Sequence, residues 1–179
     1  MAITKQQIED AFEKRVNRFG YAKTTLDEIA SDLRISKKTL YAHFDGKADI
    51  YRHIVERSAM QSRSELSAAV AAMPTFGEKL AGMVRMVMQG ARAHVRETER
   101  AEWEAEYVVA EEAFREALSS VLADIVSGGV GAGEFAVKDP ALAVRMIGVV
   151  LFEYALMMRE EPDYDRDEEL ASAIRRFVG

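Results

Sequence analysis

Apolar residues recur at three- and four-residue intervals along most of the chain, and no stretch alternates apolar and polar positions as a half-buried strand would. The pattern predicts an all-α protein. Ile8, Ala11, Phe12, Val16 and Phe19 stripe a first helix, opened by Thr4 with Gln7 as its capping-box partner and ended by Gly20. Thr25, with Glu28 three residues on, opens a short second helix carrying Leu26, Ile29, Ala30 and Leu33. Ser36 opens a third that holds Leu40, Tyr41 and Phe44. A long fourth helix starts near Lys47, carries Ile50, Ile54, Val55, Ala59 and Leu66, and fades before Met73 and Pro74.

Pro74 is the best break in the pattern. Thr75 and Glu78 cap a fifth helix through Leu80, Met83, Val84, Val87, Ala91 and Val95, and an acidic segment, 97–112, follows. Another helix carries Phe114, Leu118, Val121, Leu122, Ile125 and Val126. The run from Gly128 to Gly133 is expected to stop it and to act as a flexible connection. Asp139 and Pro140 open the next helix, to about Arg159. A polar loop with Pro162 precedes a last helix from about Asp167 to Phe177. After Val144 the penultimate helix has only Arg145, Glu153 and Arg159 as charges, so it must be buried on more than one side. One side then faces its own domain and the other a partner subunit, with Gly148 and Ala155 permitting close approach. A central core helix of a monomer is the alternative.

Composition narrows the class. The chain has 179 residues, 49% hydrophobic and 30% charged, an ordinary globular balance. The absence of cysteine excludes disulfides, thiol nucleophiles and cysteine-ligated metals, and fits a reducing cytoplasm. No secretory leader pattern is visible in residues 1–14, and the longest apolar stretch, Met146 to Met158, is broken by Glu153 and reads as too short to span a bilayer. The net charge is −6, unevenly spread: +1 over residues 1–51 and −7 over the rest. Arg34, Lys37, Lys38 and Lys47 against Asp45 make segment 34–47 locally +3.

Residues 25–44 have the layout of a helix-turn-helix. Ala30 permits a close helix crossing, Ile29 and Leu33 face inward, Ile35 plugs the turn and Leu40 anchors the second helix. Between the anchors lies Ser36-Lys37-Lys38-Thr39, with two hydroxyls and two cations, which suits a helix end entering a major groove. A solvated helix start capped by Ser36 has the same composition.

The run Phe19-Gly20-Tyr21-Ala22-Lys23-Thr24-Thr25-Leu26-Asp27-Glu28-Ile29-Ala30, followed by Ile35-Ser36-Lys37-Lys38-Thr39-Leu40-Tyr41-Ala42-His43-Phe44-Asp45-Gly46-Lys47-Ala48-Asp49-Ile50, resembles the DNA-binding domain of TetR-family transcriptional regulators. The resemblance covers about residues 8–55. It implies residues 1–47 as a DNA-binding domain and 48–179, including the connecting helix, as an effector-binding and dimerisation domain. It also implies phosphate contacts from Thr24, Thr25 and Lys47, base and backbone contacts from Ser36, Lys37, Lys38 and Thr39, and further contacts from Tyr41 and His43. Two positions depart from the family pattern. Arg34 stands where glycine is usual, so either the turn shifts or Arg34 accepts a left-handed backbone, at roughly 1 kcal/mol, and adds a phosphate contact. Arg15 stands where an apolar residue is usual.

The same resemblance implies an effector pocket. Met83, Met86, Val87, Gly90, His94, Trp103, Tyr107, Phe114, Leu118, Phe152 and Met157 are the candidates, although such residues at helical spacing also build ordinary cores. Gly148, Leu151, Ala155, Leu170, Ile174 and Phe177 are the candidates for a dimer interface. Metal and catalytic patterns fail. Asp163, Asp165 and Asp167 begin like a calcium loop, but Glu168 and Ile174 occupy its glycine and glutamate positions. There is no His-Glu-x-x-His, phosphate loop or Gly-x-Ser-x-Gly, so neither a cofactor nor a catalytic role is expected. The expectation is a cytoplasmic, homodimeric, ligand-responsive DNA-binding regulator, most often a repressor in such a family, bound to a pseudo-palindromic operator and independent of membranes. The alternative is a helical carrier or interaction protein that no longer binds DNA.

Overall fold

A computed structural model describes residues 3–98, 104–161 and 163–179, with the side chains of 93–98, 104–108 and 159 outside the description. Among these residues the chain is helical throughout: α1 (Lys5–Phe19), α2 (Leu26–Asp32), α3 (Lys37–Tyr41), α4 (Lys47–Ala71), α5 (Phe76–Thr98), α6 (Glu104–Gly131), α7 (Pro140–Glu160) and α8 (Asp167–Val178). Two compact units emerge. The first holds residues 1–59 and 101–114, the second 60–100 and 115–179.

The helix starts follow the capping chemistry of the sequence. Thr4 and Thr25 each accept from the backbone N–H three residues on, while Gln7 and Glu28 reach back to the cap, closing two capping boxes. Thr75 and Glu78 do the same at α5, and Asp139 accepts from the Leu142 N–H ahead of Pro140. In the first unit, Ile8, Phe12, Val16, Ile29, Ala30, Leu40, Phe44, Ile50 and Ile54 share one buried cluster. Burying each of the larger side chains favours the fold by about 1.5–3 kcal/mol.

Arg15 is accommodated by charge. Its guanidinium meets Asp32 at 2.5 Å and Glu28 at 3.1 Å, tying α1 to α2. Arg57 likewise pairs with the buried Glu9, tying α1 to α4.

In the second unit, the end of α4 and helices α5 to α8 share one apolar core that includes Leu80, Met83, Val84, Leu122, Val126, Ile147 and Met158. Here the expected glycine stop fails. α6 continues through Gly128 and Gly129 to Gly131. A Cβ on Gly128 would lie 2.2 Å from the Phe76 ring, and one on Gly129 2.2 Å from the Phe135 ring. These glycines therefore seat two aromatic rings against a helix; the chain turns only at Gly133, with φ 75°. The start of α8 has no side-chain cap, and Tyr154 and Arg92 replace one. The Arg166 N–H donates to the Tyr154 hydroxyl at 2.6 Å, and that hydroxyl donates to Asp167 at 3.0 Å. Arg92 donates to the Tyr164 carbonyl at 2.7 Å and to Asp167 at 2.8 Å.

α7 buries Ala143, Ile147, Leu151, Tyr154 and Met158, one face at helical spacing. Its other face leaves Leu142, Met146, Val149, Val150 and Met157 exposed, Val149 by 69%. Leu151 and Ile174, expected at a dimer interface, are thus packed in the unit's own core. Gly148, Ala155 and Leu170 are half-buried, and Phe177 is exposed. The helix exceeds the apolar run isolated from the sequence: Pro140–Met158, with mean hydropathy 1.8, is long and apolar enough by composition to cross a membrane.

Candidate nucleic-acid interface

α2 and α3 are too short to be stable alone, so their geometry is imposed by the cluster beneath them and by the turn between them. Leu33 caps α2. The Arg34 N–H then donates to the Ser31 carbonyl at 3.1 Å and the Ile35 N–H to the Ala30 carbonyl at 2.9 Å. This double bond pattern needs a left-handed residue, and Arg34 supplies it at φ 53°. Of the two alternatives the sequence leaves at this position, the backbone strain is the one realised.

Ser36 is the N-cap of α3. Its hydroxyl accepts from the Thr39 N–H at 3.1 Å and lies 2.8 Å from the Thr39 hydroxyl. Leu40 points down into the core, and the opposite side is polar and open. Ser36, Lys37, Lys38 and Tyr41 are exposed, Tyr41 by 54%, while Thr39 and His43 are half-buried. Thr25, at the start of α2, is exposed and bonded to Glu28. Hydroxyls, cations and an aromatic tip on one small face are groups that contact phosphate and base edges.

The predicted contact residues are not equally free. The Lys37 ammonium sits 2.5 Å from Asp27 on α2, and this hydrogen bond raises its pKa above the ordinary lysine value. Among the described residues, Lys38 has no such partner. Thr24 and Lys47, expected to clamp phosphate, are turned inward. The Thr24 side chain is buried and donates to the Gly20 carbonyl at 2.9 Å. The Lys47 ammonium donates to the Tyr21 carbonyl at 2.8 Å and lies 4.0 Å from the Tyr21 ring centroid. Both fasten the segment between α1 and α2, because these donors satisfy carbonyls that no helix reaches.

Asp27 is the group that reading the sequence missed. It lies ten residues from Lys37 on a different helix, and no local spacing rule links them. Two neighbouring carboxylates are also perturbed. Glu28 is held below the ordinary carboxylate range, chiefly by the Thr25 hydroxyl, and Asp32 chiefly by its hydrogen bond from Arg15.

Among the effector-pocket candidates, Met83 is fully buried core; Met86, Val87, Leu118 and Phe152 are half-buried, and Gly90, Phe114 and Met157 are exposed. The side chains of His94 and Tyr107, and all of Trp103, lie outside the described residues. A half-open surface depression of about 410 Å³ in the second unit is lined by Gly77, Glu134, Phe135 and Arg175, none of which is among those candidates.

The geometry of residues 25–44 defines a helix-turn-helix module. Residues 14–54 match the model of the bacterial regulatory proteins of the tetR family. Over 37 residues, 21% of this chain, the sequence is 51% identical to the biofilm operon HTH-type negative transcriptional regulator IcaR of Staphylococcus epidermidis. That match spans 20% of the relative's length. The fold extends further. The transcriptional regulator FadR from Bacillus subtilis, in complex with stearoyl-CoA, has a TM-score of 0.65 at 19% identity, covering 97% of each chain. RolR in complex with resorcinol has a TM-score of 0.66 at 18% identity, covering 98% of this chain and 87% of that one. Residues 14–54 thus carry the sequence of a tetR-family DNA-binding domain, and the rest of the chain shares its fold with the FadR and RolR structures.

Proposed function

We propose that the chain is a homodimeric, ligand-responsive repressor that binds a pseudo-palindromic DNA site. The carrying observation is the exposed start of α3, where Ser36, Lys37, Lys38 and Tyr41 share a face above a buried Leu40. In this reading Thr25, Ser36, Lys37, Lys38, Thr39, Tyr41 and His43 meet DNA, and Thr24 and Lys47 hold the frame. Residues 1–47 act as the DNA-binding domain and 48–179 as the effector and dimerisation domain.

Dimerisation is supported by the exposed face of α7, with Leu142, Met146, Val149 and Val150, and by Phe177 on α8. An isologous contact between two such faces would bury them and give the two-fold symmetry a palindrome requires. Half-sites read by the two α3 helices would then lie roughly 34–36 Å apart, or a multiple of this. A second copy fits this face better than a bilayer, because the opposite face of α7 packs in the unit's own core. The FadR and RolR complexes support a small organic effector, which would act through unequal affinity for DNA-bound and released states. The site of action in this reading is the cytoplasm, at the nucleoid.

Selection of duplexes from a random pool tests the reading. Wild-type protein should enrich a palindrome that a Lys37→Ala/Lys38→Ala variant does not. Val149→Glu should shift the protein from dimer to monomer in sedimentation and abolish enrichment. A folded, dimeric wild type that enriches nothing would favour a carrier that does not bind DNA.

A further inference from the structure

The turn ahead of α3 holds a contradiction that the fold alone does not explain. The bonds from Arg34 and Ile35 back to Ser31 and Ala30 require a left-handed residue at position 34. Glycine adopts that conformation without steric cost, and asparagine with little, whereas a long unbranched side chain is strained there. Among the described residues, Arg34 is the one non-glycine residue with positive φ. Those two backbone bonds hold the turn, but no contact of the Arg34 side chain contributes to it. The side chain is exposed and makes no hydrogen bond, ion pair or ring contact among the described residues.

A strained residue held by its surroundings, with its cation facing solvent, is a candidate functional position. Its place is informative. Arg34 lies two residues before Ser36, on the approach to the face carrying Lys38 and Tyr41, and the nearby Lys37 is already engaged by Asp27. A planar, permanently charged guanidinium suits bidentate phosphate binding. We propose that Arg34 is a DNA-phosphate contact at the edge of the α3 face, and that the turn keeps its strain for this contact. The inference rests on the DNA-binding reading above.

Three variants separate strain from charge. Arg34→Gln keeps the strain and removes the charge, Arg34→Gly removes both, and Arg34→Lys keeps the charge. Binding of the full chain to two short fluorescent duplexes of unrelated sequence would be followed against salt, with thermal melts alongside. Arg34→Gln and Arg34→Gly should bind about fivefold more weakly at low salt, by the same factor on both duplexes, with a log–log salt slope smaller by about 0.9. Arg34→Lys should retain most of the affinity. Arg34→Gly should melt no lower than wild type, which excludes misfolding as the cause of its loss. Wild-type affinity and slope in Arg34→Gln would overturn the assignment while leaving DNA binding intact. A loss on one duplex only would overturn it in favour of base readout. Wild-type protein that binds neither duplex would overturn the DNA-binding reading and this inference together.

Discussion

The two units order their helices by different means. The second relies on a broad apolar core drawn from the end of α4 and from α5 to α8, with polar ties at the start of α8, from Arg85 to Glu168 and from the Gly77 N–H to Glu134. The first has a smaller core under helices of 7 and 5 residues, and it adds polar fasteners: Arg15 to Asp32, Arg57 to Glu9, Thr24 to Gly20 and Lys47 to Tyr21. The reason is physical. Short helices nucleate poorly and bury little, and a face that must stay polar for a ligand cannot be covered with apolar groups. Ion pairs and capping bonds fix α2 and α3 without using that face.

The contrast can be broken by substitution. Met83→Ala, in the wholly buried centre of the second unit, should cost about 2–5 kcal/mol in urea unfolding. Lys47→Met should cost less, about 0.5–1.5 kcal/mol, because it removes one of two hydrogen bonds to the Tyr21 carbonyl, which still accepts from the Thr24 N–H. An unchanged stability would return Lys47 to a purely DNA-facing role.

Acid should act on the first unit through Glu28 and Asp32. The carboxyls of Glu28 and Asp32 are depressed in the folded state, so the stability they contribute is present in full above the ordinary carboxylate range. It is lost as pH falls through their lowered values. Stability measured from neutral to acid pH should therefore drop, and Arg15→Met should flatten that drop by removing the hydrogen bond that depresses Asp32. An identical acid limb in both proteins would remove the fastener from the account. The smallest effect concerns Asp27. Asp27→Asn releases Lys37 and removes an anion beside the α3 face, so duplex binding at low salt should tighten by about two- to threefold.

Much of this was written in local patterns. Capping residues marked the starts of α1, α2, α3, α5 and α7, and the spacing of Ile29, Ala30, Leu33, Ile35 and Leu40 marked the helix-turn-helix. What stayed hidden depends on neighbours distant in sequence. Gly128 and Gly129 read as a helix stop because the Phe76 and Phe135 rings that need their missing Cβ atoms lie elsewhere in the chain. α7 is apolar nearly all round, so its sequence could not tell Leu151, which faces the core, from Val150, which faces outward. The inward turn of Lys47 and the pairing of Lys37 with Asp27 depend on side-chain directions that no periodicity encodes.

The central claim is that the α3 face binds DNA, with Lys38 as a phosphate contact. Anisotropy of a labelled duplex recovered from the selection, titrated with wild type and with Lys38→Ala over a range of salt, tests it directly. The account predicts steep weakening of wild-type binding with salt and a log–log slope about 0.9 smaller in Lys38→Ala. Wild-type binding that does not respond to salt, or a slope unchanged by Lys38→Ala, would contradict it.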